Sequence, residues 1–83
     1  MALTVQKVED IKKAYQTDDG SAHVIMRRYQ VTFEEYGAAT RFPSATPEQI
    51  VAVSQMTGFE QMQTADLREH LGPPEFDGAK ISL

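Results

Sequence analysis

Apolar positions along the chain follow two different periods. In residues 5–16, Val5, Val8, Ile11 and Tyr15 recur at helical spacing, and Glu9 stands one turn before Lys13. That spacing predicts an amphipathic helix. The competing reading is a strand entering a hairpin at Asp18-Asp19-Gly20, since Asp-Gly is a strong turn pair, but alternation within residues 5–13 is poor. Residues 22–33 switch to a period of two: Ile25, Arg27, Tyr29, Val31 and Phe33 on one face, Val24, Met26, Arg28, Gln30 and Thr32 on the other. A strand is expected there, with the first face on the core and Arg27 as its misfit. Glu34-Glu35-Tyr36-Gly37 then reads as a reversal, residues 38–42 as a shorter returning strand, and Pro43 as its end, because proline cannot donate to a ladder.

The second half is more sharply punctuated. Thr46-Pro47-Glu48-Gln49 combines an N-cap, a proline at the first helical position and a capping-box partner. Ile50, Val51, Val53, Ala52 and Met56 supply the apolar side of that helix, which Gly58 is expected to close. A second helix, capped by Thr57 or Thr64, would bury Phe59, Met62, Leu67 and Leu71 and stop at Gly72. The fold expected from this pattern is α+β: an N-terminal helix (or strand), a two- to three-stranded antiparallel sheet, then two helices packed on one face. Residues 1–72 would form the compact domain. Residues 73–83 would form an extended tail, with Ala79 to Leu83 adding a short strand or hanging free.

Composition narrows the class. With 83 residues there is material for one domain with a small core, too small for a deep enclosed cleft. There are no cysteines, hence no disulfide framework and no thiolate metal site, and a reducing cytoplasmic setting fits. The N-terminus lacks a signal-peptide pattern, and no segment reaches the ~18 apolar residues of a membrane span. The net charge of −4 is unevenly distributed: residues 1–41 carry six acids and six bases, residues 42–83 six acids and two bases. Nucleic acid is therefore not the default partner.

Catalytic signatures are missing. His23 and His70 lie in separate elements, far short of the three or four convergent ligands of a zinc site. The glycines are scattered singly, which leaves no phosphate loop, and there is no nucleophile elbow. Asp18-Asp19 and Glu34-Glu35 read as solvated turns, lacking the spaced oxygens of a calcium loop. Neither an enzyme nor a cofactor or metal is expected.

What remains points to contact surfaces. Met56, Phe59 and Met62 cluster around Gly58 among glutamines, as buried core or as an adaptable binding patch. Arg27 and Arg28 supply positive charge, with Glu9 or Asp10 as internal partners for Arg28. Asp66 and Glu69 share a helical face, and Phe76 sits in the tail, able to pack back or to be donated to a partner. The expected function is a non-catalytic interaction protein that binds a larger protein as inhibitor, adaptor or accessory subunit, a size and type also met among phage and mobile-element proteins. An exposed edge on the long strand would permit homodimers. The alternative is a DNA-binding regulator with a helix-turn-helix-like unit at residues 47–71, against which stand Asp66 and Glu69 and a connection longer than the usual 3–4 residues.

Overall fold

A computed structural model describes residues 3–74 and contains only helices among them. The order is α1 (Val5–Gln16), α2 (Ala22–Tyr29), α3 (Phe33–Arg41), α4 (Pro47–Ser54), a single 3-10 turn (Phe59–Gln61) and α5 (Thr64–Leu71). The expected antiparallel sheet, and with it the α+β class, is thereby corrected. The edge on which homodimerisation rested disappears with it.

The correction lies in residues 22–42, and its cause is local. Ser21 caps α2, its hydroxyl accepting from the Val24 N–H at 3.4 Å. Wound as a helix, this segment points Ile25 into the core with Met26 and Tyr29 packed against it, and turns His23, Val24, Arg27 and Arg28 to solvent. The Arg27 misfit of the strand reading vanishes. Asp18-Asp19-Gly20 is an interhelical link, with Asp18 and Gly20 both at positive φ. Thr32 and Glu35 form a reciprocal capping box: the Glu35 N–H donates to Thr32 Oγ1 at 3.1 Å and the Thr32 N–H to Glu35 Oε1 at 2.9 Å. The expected reversal at residues 34–37 is thus the first turn of α3.

The α4 start follows its motif, with Thr46 and Gln49 closing the same box at 2.8 and 3.1 Å. Its end differs. The helix stops at Ser54, and Gly58, at φ 82°, sits beyond it as the left-handed residue that opens the 3-10 turn. Phe59 and Met62 therefore precede α5 rather than belonging to it. The α5 start takes its cap from Asp66, whose Oδ2 accepts from the Gln63 N–H at 3.0 Å, and Gly72 ends the helix at φ 86°.

The helices enclose one core. α1 lies at its centre, against α2, α3 and α4, and α4 also contacts α3 and α5. Val8, Ile11, Ile25, Phe42 and Ile50 are the largest fully buried side chains, and Ala38 and Ala39 let α3 approach its neighbours closely. Phe59, Leu67 and Leu71 extend the core toward α5.

Lys12 reaches along this core to the C-terminal end of α3, its Nζ donating to the Phe42 carbonyl at 3.4 Å. Partial burial disfavours the ammonium and lowers its pKa below the ordinary 10.5. Between the lowered folded value and 10.5 the unfolded chain binds more protons, so stability rises with pH across that window. The stability of the wild type relative to Lys12→Met should accordingly increase from pH 7 towards pH ~10 in paired urea titrations. A constant difference would mean that the ammonium is fully solvated.

Candidate functional site

The capping box that starts α3 also sets its orientation. Phe33 occupies the first helical position, and Gly37, Thr40 and Arg41 follow it at i+4, i+7 and i+8 along one side. Tyr36, Ala38, Ala39 and Phe42 are buried, whereas Phe33 is 71 % exposed, the most exposed large apolar side chain among the described residues. Facing this side are Phe59 and Glu60 from the 3-10 turn, Met62, and Leu67 of α5. Together with Tyr15, Ala22, Glu34 and Tyr36 they line a solvent-open groove of about 480 Å³.

The groove has an apolar floor and charged margins. Phe59 and Leu67 are nearly buried, Met62 is half-buried, and Tyr15 meets Tyr36 edge-on with ring centroids 6.5 Å apart. Arg41 spans the two walls: its Nε donates to the Gly37 carbonyl at 3.3 Å and its Nη1 to Thr64 Oγ1 at 3.1 Å, while the guanidinium lies 5.6 Å from the Phe42 ring centre. Glu34 and Glu60 take part in no ion pair among the described residues.

Gly37 lies inside α3 on this wall, at a cost in helix stability. Its φ is not positive, and the nearest side-chain atoms to a Cβ placed there would be those of the Arg41 guanidinium, from 3.6 Å, an ordinary contact. Gly37→Ala should raise stability by about 0.5–1 kcal/mol in urea denaturation, because alanine loses less backbone entropy inside a helix. A loss of stability would show that Arg41 cannot give way.

The residues singled out from the sequence are dispersed. Phe59 and Met62 line the groove, whereas Met56, 39 % exposed, lies beside Thr32, Glu35 and Gly58 in an adjoining depression that shares Phe59 and Glu60 with the groove. Arg27 and Arg28 lie on the outer face of α2 with His23 and Val24. Arg28 pairs with Asp19 at 3.1 Å, not with Glu9 or Asp10. The adjacent Tyr29 side chain, its ring centre 5.8 Å from the guanidinium, and then the hydrogen bond to Asp19 raise the pKa of this exposed group. Asp66 serves the α5 cap, Glu69 is exposed on the same helix, and neither lines the groove. Phe76 lies outside the described residues.

Sequence reasoning missed Phe33, Gly37 and Arg41. A usable signal was present: Thr32-Phe33-Glu34-Glu35 repeats the cap–x–x–acceptor logic of Thr46-Pro47-Glu48-Gln49. Among the described residues no three acidic or histidine side chains converge as a metal site would require. No helix there is long and apolar enough to cross a membrane. Searches of family models, curated proteins and solved structures returned no match to this chain.

Proposed function

We propose that the protein is a non-catalytic interaction module that binds a larger protein through the groove between α3 and the segment running from the 3-10 turn into α5. The observation that carries this is Phe33. A phenylalanine left 71 % exposed on a small domain, beside a groove floored by Phe59, Met62 and Leu67, is costly to leave in water and is the kind of anchor that interfaces bury. The cysteine-free sequence fits a partner met in the cytoplasm.

Photo-crosslinking tests the proposal. A photoreactive side chain at position 33, in the full chain mixed with its native lysate, should give one discrete adduct. The same group at position 52, exposed on α4 and outside the groove lining, should not. Matching adduct patterns from the two positions would refute the proposal.

A second reading has one observation in its favour. α2 and α3 are joined only by residues 30–32, with Gln30 in the left-handed conformation at φ 59°, as in the short turn of a DNA-reading helix pair. α4 and α5, separated by residues 55–63, lack that link. The chemistry is less favourable: the second helix opens with Phe33, Glu34 and Glu35 where arginine, asparagine or glutamine would read base edges. DNA binding would show as affinity that weakens steeply with salt and falls on Arg27→Ala; no mobility shift at low salt removes it.

A further inference from the structure

We infer that the occupant of the groove is an amphipathic helical segment of a partner protein, with lysine or arginine beside its apolar stripe; this rests on the groove being the contact face. Backbone chemistry selects the helix. No strand exists among the described residues, so no sheet edge offers the main-chain hydrogen bonds that hold an extended peptide. A helix satisfies its own backbone and can dock by side chains alone. Charge selects its flanks. Glu34 and Glu60 line the groove without ion-pair partners among the described residues, whereas Arg41, the one base among the described residues of the lining, already donates to Gly37 and Thr64. Among the described residues the margin therefore presents two carboxylates outside any ion pair around an apolar floor.

The experiment uses the full chain and three fluorescent helical peptides that share one leucine stripe and differ only in a polar face of lysine, glutamine or glutamate. Anisotropy titrations should give the lysine peptide roughly tenfold tighter binding than the glutamine peptide at low salt, the gap closing as salt rises. Amide shifts in NMR spectra should concentrate at Gly37, Thr40, Glu60 and Met62. Glu34→Lys combined with Glu60→Lys should invert the order of the peptides. Glu9→Lys with Glu69→Lys, which makes the same change of net charge at exposed positions outside the groove lining, should preserve it. Equal affinities, a preference for the glutamate peptide, or an equally strong effect of the control pair would overturn the inference. So would peptide binding outside the groove, concentration-dependent self-association through it, or duplex DNA shifting the same amides of the protein with no peptide present. An adduct at position 33 whose captured partner contributes an extended or acidic segment sinks this inference and leaves the interaction proposal standing. Loss of the position-33 dependence sinks the interaction proposal itself.

Discussion

Phe42→Ala is expected to remove a large part of the stability of this domain. The ring is fully buried at the end of α3 and is the largest of the wholly enclosed side chains. Truncating such a ring costs about 3–5 kcal/mol through lost transfer energy and the cavity left behind. A chain of this length has roughly 4–12 kcal/mol of folding free energy in all. The Arg41 guanidinium, 5.6 Å from the ring centre, loses its aromatic partner as well. Far-UV circular dichroism against urea reads the effect directly, as a midpoint moved far toward zero denaturant. A shift worth less than about 1 kcal/mol would mean that the ring does not hold the junction of α1, α3 and α4 together.

Phe33→Asp should do the opposite, sparing the fold and removing the partner. Phe33 is largely solvated, so the substitution should change stability by no more than about 0.5 kcal/mol. Aspartate at the first helical position also suits the positive end of the α3 dipole. At an interface, losing a central aromatic anchor costs ~2 kcal/mol or more, which is about thirtyfold in Kd. Isothermal titration with the crosslinked partner, once isolated, gives the number. Unchanged affinity in a folded Phe33→Asp variant would place the contact elsewhere on the surface.

How legible all this was in the sequence differed by segment, for a physical reason. The limits of α1 and the starting cap of α4 were readable, because the three-residue spacing of Val5, Val8 and Ile11 and a capping motif have no strand equivalent. Residues 22–33 were not. Ile25 and Tyr29 are four apart, a separation that places two side chains on the same face whether the chain is wound or extended. Aromatic and β-branched residues, Val24, Ile25, Tyr29, Val31, Thr32 and Phe33, then tilted the balance toward a strand. Docking of Ile25 and Tyr36 in the core overrode that preference. The cost fell on the site: on a strand, Phe33 belonged to the core face, and only the Thr32–Glu35 box reveals it as an exposed helix start. Phe59 and Met62 were legible as apolar residues flanking a glycine, whereas their opposite wall depended on the misread segment.

Residues 30–32 bridge α2 and α3 with hardly any slack, and each helix starts at a cap encoded within four residues of sequence. Chains dominated by such nearby contacts reach the native state in microseconds to milliseconds, ahead of sheet-containing domains of similar size. A variant weakened by a surface change would therefore still snap shut between openings, and its survival against a protease would follow the equilibrium share of open molecules rather than the opening rate alone.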